Sequence, residues 1–348
     1  MQVAFRTLKL KKLYPLAISR GVTTGSQNLY VFVTQGAHTG IGECAPGTGF
    51  DDTLAALAER QLTDLVAEGI EDLSIHQVWD KAHGRGVDPS ALAALDIALW
   101  DLLAKQANMP LYRLFGLGKP SVPTSVTIGI NPVEVIRERV PDILAHTGAR
   151  ALKIKLGSPA GIEHDKASYE ACLEAAVPFG VKYRVDANGG WDVEPAREIL
   201  HWLAERGCDY VEQPLAEGRE ADLPRLYEGR PLPIFCDESA RHAKDIPKLI
   251  GKADGINLKL MKCGGLTEAL RLLATARSCG LGTMIGCMGE SSVSISAGAA
   301  LGALLDHVDL DSHLNLDPDP AEGAQMVNGV VTPPDRPGHG AFLKDAEA

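Results

Sequence analysis

The spacing of apolar and polar residues changes near residue 118. Before it, Val3–Lys12 and Leu29–Thr34 alternate or are β-branched, as half-buried strands are. Leu54–Ala67 and Ser90–Gln106 instead repeat apolar residues at helical spacing, and Pro89-Ser90 supplies a helix start. From about residue 122, short apolar runs predict strands at Thr124–Gly129, Leu152–Leu156, Tyr183–Asp186, Tyr210–Glu212, Ile234–Asp237, Ile256–Leu260, Thr283–Gly286 and Val308–Asp311. Between them Pro132–His146, Asp165–Pro178, Val193–Arg206, Leu266–Cys279 and Ser292–Leu305 read as helices. Eight strands alternating with helices predict a closed parallel barrel. An open doubly wound sheet is the alternative, and no Gly-rich phosphate fingerprint follows the first strand to support it. The expected fold is α/β: a modified, TIM-like (β/α)-barrel over 119–317 and an α+β capping domain over 1–118, completed by 318–348.

Composition narrows the function classes. At 348 residues, with 45% hydrophobic and 23% charged residues, the chain has the make-up of a globular protein with a large core. Its formal charge of −11 argues against binding a nucleic-acid backbone. The seven scattered cysteines, with no CxxC, read as reduced thiols, not as a disulfide framework or zinc site. The start MQVAFRTLKLKKLYPLA lacks the apolar core of a signal peptide, and the run Val293–Leu305 is too short to span a bilayer. The expectation is a cytoplasmic protein with no nucleic-acid or membrane partner.

The chemistry lies at the strand ends, where barrel enzymes carry their catalytic residues. Asp186, Glu212 and Asp237 end the third, fourth and fifth strands, each about 25 residues after the last, one βα unit apart. Any one alone reads as a loop carboxylate or helix cap. Three converging on one mouth repel unless a cation lies between them, and oxygen-only ligands suit Mg²⁺. Lys155 on strand two and Lys259 on strand six face each other across the barrel. Burial, the neighbouring Lys153 and a dication each favour the neutral amine that a base requires. The cation, with Lys153, would stabilise the charge formed when a proton leaves the carbon beside a carboxylate. Two bases on opposite faces would then invert that carbon.

KIK, DAN, EQP, DES and NLKLMKCGG, in this order, resemble the muconate-lactonizing subgroup of the enolase superfamily over essentially the whole chain. The resemblance implies Asp186, Glu212 and Asp237 as Mg²⁺ ligands and Lys155 and Lys259 as the acid/base pair, supported by Lys153. It leaves Lys262 a structural role. No histidine ends strand seven (GTMIGCM), which disfavours the mandelate-racemase branch with its His base. HVDLDS resembles the Asp-x-Asp motif of dipeptide epimerases and implies that Asp309 and Asp311 hold a substrate α-ammonium. SRGVTTGS resembles a loop of L-Ala-D/L-Glu epimerases, which implies Arg20 as partner of a glutamate side chain. The cap loops near Ser19–Thr24 and Pro46–Asp52 are expected to close over the substrate. GCMGES, with Met288 and Glu290, is expected to meet the substrate backbone, and Thr127 is a further candidate contact.

The implied activity is Mg²⁺-dependent epimerisation of the C-terminal residue of a dipeptide, L-Ala-D/L-Glu first, as in recycling of cell-wall peptides. Other dipeptides, N-acylamino acids, succinylbenzoate synthesis, muconate cycloisomerisation and a non-catalytic metal-binding homologue are the alternatives. Homo-oligomerisation is left open.

Overall fold

Alternation at the N-terminus builds an antiparallel sheet in the computed structural model, which describes residues 1–47, 49–50 and 52–344. Its strands are β1 (Gln2–Ile18), β2 (Gly21–Gln35) and β3 (His38–Cys44), in the order β1-β2-β3. The first two pair from Gln2↔Thr34 to Ile18↔Gly21, with the ladder interrupted between Lys11 and Leu16. The loop expected at Ser19–Thr24 is therefore the tip of a long hairpin: Ser19 and Arg20 form the turn, and residues 21–23 are paired strand. The second expected loop, Pro46–Asp52, includes Thr48 and Asp51, which lie outside the described residues.

Helices α1 (Asp52–Ala67), α2 (Ile75–Gly84) and α3 (Pro89–Gln106) cover one face of this sheet. Asp88 starts α3 by accepting the Ser90 N–H, with Pro89 at the first position. The helix lies directly on β3 because Gly40 and Gly42 present no side chain there. A Cβ at Gly42 would fall 1.9 Å from the Ala94 carbonyl oxygen, and one at Gly40 2.0 Å from that of Ala98. Leu29, Val31 and Val33 of the sheet and Leu62, Leu95 and Leu102 of the helices fill the core between them.

After the single turn α4 (Leu111–Leu114) the barrel begins. Its strands are β4 (Ser125–Ile128), β5 (Ala151–Lys155), β6 (Lys182–Asp186), β7 (Cys208–Glu212), β8 (Ile234–Cys236), β9 (Gly255–Lys259), β10 (Gly282–Gly286) and β11 (His307–Asp309). They form one parallel sheet in sequence order, and a parallel bridge between Thr124 and Val308 brings its two edges together. Helices α5 (Val133–Thr147), α6 (Ile162–Ala176) and α7 (Val193–Ala204) match the sequence reading closely. So do α10 (Leu266–Ser278) and, more briefly, α11 (Ser292–Ala299).

The expected alternation is less strict elsewhere. The β7–β8 connection holds only α8 (Pro224–Tyr227), and a 3₁₀ turn over Ala243–Leu249 joins β8 to β9, because prolines 224, 233 and 247 interrupt both stretches. A short α9 (Leu260–Cys263) leaves β9 at once. No eighth helix follows β11 among the described residues: a 3₁₀ turn, Ser312–Asn315, leads back toward the cap. There Leu316 bridges Lys12, and Asp317 donates to the Lys11 carbonyl oxygen at 2.9 Å.

The strands alternate apolar-out, polar-in. Leu152, Ile154, Val185, Val211, Ile256 and Leu258 pack under the helices. Tyr210, Phe235 and Met284 form a separate apolar cluster, with Tyr210 donating to Met284 Sδ across the barrel. Lys153, Asp186, Glu212 and Lys259 are buried as well. Among the described residues no helix is long and apolar enough to cross a membrane.

Candidate active site

The inward positions of β5 are Lys153 and Lys155, and register places them beside Arg184 and Asp186 of β6. Asp186 in turn lies beside Glu212 of β7, and Asp237 follows the last residue of β8. All three carboxylates are fully buried. Nothing but paired charges or hydrogen bonds makes such burial tolerable.

The partners are lysines. Lys153 Nζ is 2.5 Å from Asp309 Oδ2, 2.8 Å from Glu212 Oε2 and 3.4 Å from Asp186 Oδ2. Lys155 Nζ reaches Asp186 Oδ2 at 2.5 Å, and Lys259 Nζ reaches Asp237 Oδ2 at 2.8 Å. Lys262 pairs with the other oxygen of Asp237. The expected ligands and the expected acid/base lysines therefore share one buried cluster. β5 and β9, second and sixth in the eight-strand order, bring the two lysine pairs from opposite sides.

The electrostatics of the cluster are set by charge against burial. Burial works to lower the pKa of Lys153, but Asp309, Glu212 and Asp186 outweigh it and hold this lysine well above its ordinary value. Lys153 is a positive charge beside Lys155. Burial likewise works to raise Asp186, and Lys155, Lys153 and Lys259 overcome it, leaving the carboxyl well below its usual range. Lys262 behaves oppositely: burial dominates and pushes it down to about 8.

Neutral groups surround the carboxylates. Asn188 donates its backbone N–H to Asp186 Oδ1 at 2.8 Å and its side-chain amide to Oδ2 at 3.2 Å, and Gln213 Oε1 accepts the Asp237 backbone N–H at 2.8 Å, which fixes the strand end that carries Asp237. Both residues have left-handed backbone, φ 45° and 39°, a conformation that costs a non-glycine residue about 1–2 kcal/mol. Asn257 donates to Glu212 Oε1 at 2.8 Å. Sequence reasoning missed Asn257, Gln213 and Ser125. Asn257 had a legible signal, since it precedes Lys259 by two and so shares its face of β9.

Asp309 and Asp311 take different settings. Asp309 accepts from Ser125 Oγ at 2.8 Å as well as pairing with Lys153, and the lysines hold its carboxyl below the usual range against burial. Asp311 accepts the Thr127 N–H at 2.7 Å; burial and the adjacent Asp309 raise it. Thr127 is thus close to the site through its backbone. Met288 is 39% exposed and donates its N–H to the buried Glu290, whose carboxyl burial pushes up to about 8. The following Gly289 carbonyl oxygen accepts from Asn28 Nδ2 and Ser26 Oγ of β2. Cap strand and β10 loop therefore meet at the rim.

Arg20 stands at the hairpin tip over the mouth, but its guanidinium is engaged. It donates to the Asn188 carbonyl oxygen at 2.8 Å and to Glu238 Oε1 at 2.7 Å.

Among the described residues no three His, Cys, Asp or Glu side chains are gathered tightly enough to cage a metal ion as they stand, and each of the three carboxylates pairs with a lysine. The donor chemistry nevertheless fits a hard dication. Asp186, Glu212 and Asp237 offer oxygens alone, and buried Glu212 Oε2 has no hydrogen-bond partner, although Lys153 Nζ is 2.8 Å away.

Comparison with known proteins shows the family. Residues 2–116 match the mandelate racemase / muconate lactonizing enzyme N-terminal domain, and residues 135–347 match the enolase C-terminal domain-like family. The chain is 58% identical over 346 residues to a hydrophobic dipeptide epimerase of Roseobacter litoralis, covering 99% of this chain and 100% of that one. It is 54% identical to a hydrophobic dipeptide epimerase of a Flavobacteria bacterium, with 99% of each covered. The dipeptide epimerase of Enterococcus faecalis V583, solved with Mg and L-Leu-L-Tyr, superposes with a TM-score of 0.89 at 31% identity, over 98% of each chain. The chain belongs to the mandelate racemase / muconate lactonizing enzyme family of the enolase superfamily and is an isomerase of its racemase and epimerase kind.

Proposed function

We propose that the protein is a Mg²⁺-dependent dipeptide epimerase that inverts the α-carbon of the C-terminal residue, acting on dipeptides with apolar side chains. The observation that carries this reading is the placement of Lys155 and Lys259 on opposing strands around three buried carboxylates. Asp186, Glu212 and Asp237 would hold the cation, which supplies positive charge against the carboxylate next to the reacting carbon. Lys155 and Lys259 take the α-proton from one face and return one on the other. Lys153, held charged, faces the negative charge that grows on the substrate carboxylate as the proton leaves. Asp309 and Asp311 hold the α-ammonium, whose burial requires carboxylate partners.

The apolar preference is supported by the rim. Val22 is 70% exposed, Phe50 42% and Met288 39%. Phe50 lies against Gly25 of β2, and the Met288–Gly289 loop lies against Ser26. The relatives at 58% and 54% identity are named for hydrophobic dipeptides. L-Ala-D/L-Glu is the second reading, because Arg20 does stand at the mouth.

The deciding experiment incubates Mg²⁺-loaded protein with L-Leu-L-Tyr, L-Ala-L-Glu and their epimers in D₂O. A one-deuteron gain that is faster for the apolar pair, is lost on chelation and returns with Mg²⁺ is expected. Faster exchange on L-Ala-Glu would favour the second reading, and exchange on N-acylamino acids alone would sink both.

A further inference from the structure

Beside the Ile130 N–H to Ala17 carbonyl bond at 2.8 Å, three side-chain contacts from the turn residues Ser19 and Arg20 tie the cap hairpin to the loops after β6 and β8. Ser19 Oγ and Arg20 Nη1 donate to the Asn188 carbonyl oxygen at 3.0 and 2.8 Å, and Arg20 Nη2 donates to Glu238 Oε1 at 2.7 Å. Asn188 lies two residues after Asp186, and Glu238 directly follows Asp237. The Arg20 side chain is 54% exposed, so the pair is solvated on that side as a surface pair is, and it is the glutamate side that differs. The Glu238 side chain is only 13% exposed, its second oxygen is buried without a hydrogen-bond partner, and Arg20 makes the one ion pair to it among the described residues.

We propose that Glu238 is a positioning and specificity-determining residue: through Arg20 it latches the hairpin tip over the barrel mouth and withdraws the guanidinium charge from substrate side chains. The specificity arm rests on the function proposed above; the latch does not. Val22, Phe50 and Met288 offer exposed apolar surface there, and a free guanidinium beside it would attract an acidic side chain. Glu238 supplies the carboxylate in place of the substrate, so the charge is satisfied before any ligand arrives. The contact also explains how a cap hairpin communicates with two loops that carry carboxylates of the cluster: closing the tip and fixing those loops are one event.

The test compares the wild type with Glu238→Gln, Arg20→Ala and the double variant by two readouts. The first is amide hydrogen exchange across residues 14–24. Exchange there is expected to rise about tenfold in Glu238→Gln, the weight of one charge-assisted hydrogen bond, and more in Arg20→Ala and the double variant, which also lose the bond to the Asn188 carbonyl oxygen. The second is the ratio of kcat/KM for an acidic to an apolar C-terminal residue. This ratio is expected to rise about tenfold in Glu238→Gln, where the guanidinium is freed, and to stay at the wild-type value once Arg20 is also removed. Unchanged hairpin exchange in Glu238→Gln and Arg20→Ala overturns the latch. A ratio that rises as much in Arg20→Ala as in Glu238→Gln overturns the specificity role. If the wild type turns over no dipeptide, the proposed function fails while hydrogen exchange still decides the latch.

Discussion

Asp309 and Asp311 show why residues two apart need not be equivalent. Asp309 already has a cation, Lys153, and a hydroxyl, Ser125. Asp311 has the Thr127 N–H and a weak, 3.7 Å contact from Cys287 Sγ, so a substrate ammonium changes its surroundings more. A hydrogen bond to a charged group contributes about 1.5–3 kcal/mol, which corresponds to about 10–150-fold. Asp311→Asn is expected to lower kcat/KM for a dipeptide by that factor with folding intact, measured by steady-state kinetics beside a thermal melt. A fall equally large for the N-acetylated substrate would show that Asp311 does not act on the ammonium. The motif residues were legible in sequence because barrel strands place every second residue on one face and active residues at strand ends. What their side chains do was less legible. Lys153 was read as a charge beside Lys155, but the three carboxylates that keep it charged against burial come from other strands. Arg20 was visible as a cation on a cap loop, but its partner Glu238 comes from a loop 218 residues away, a distance no local pattern encodes.

Elements were legible wherever amphipathic spacing was long and uninterrupted, as in α7 or α10, and least so where packing overrode propensity. β3 is an example. HTGIGEC carries two glycines that weaken any strand signal, yet those glycines let α3 lie on the sheet backbone. Gly42→Ala is expected to cost about 1–3 kcal/mol through overpacking against Ala94, measured as a lower denaturation midpoint at unchanged m-value. No loss would mean that the helix stands farther from the strand than described.

The start of α10 depends on the cap as well. Asp96 of α3 accepts the Thr267 N–H at 2.9 Å and the Thr267 hydroxyl at 2.5 Å. Burial pushes this carboxyl up to about 7 from an ordinary value of 3.8. Between those values the unfolded chain has lost the proton that the folded one keeps, so folding stability falls as pH rises through that window. Asp96→Asn keeps an acceptor for the amide and removes the titration. Its melting temperature is expected to decline less than that of the wild type between pH 5 and pH 8. An identical decline in both would remove Asp96 from the account.

At the scale of the whole molecule, cap and barrel are joined by buried polar contacts that neither could satisfy alone. Glu43 of β3 accepts the Ser291 and Ser294 N–H groups at the start of α11, at 2.9 and 3.2 Å, while holding Asn28 and Tyr30 of β2. The Trp79 indole donates to the Gly264 carbonyl oxygen at 2.9 Å, just beyond the lysines of β9 and α9. The barrel supplies the charge cluster, and cap residues Val22 and Phe50 and the β10 loop residue Met288 are exposed apolar side chains. The rhythm of strands and helices announced the barrel, but the shortened connections around β8 followed from prolines whose effect depends on what packs nearby.

The central claim is that Lys155 and Lys259 serve opposite faces of one carbon, and stereospecific deuterium exchange tests it most directly. Lys155→Ala and Lys259→Ala are each incubated in D₂O with the separate epimers of a turned-over dipeptide. Each variant is expected to lose epimerisation by about 10²–10⁴-fold while still exchanging the α-proton of one epimer, the two variants sparing opposite epimers. If both variants spare the same epimer, or either keeps full epimerisation, the two-lysine account is wrong.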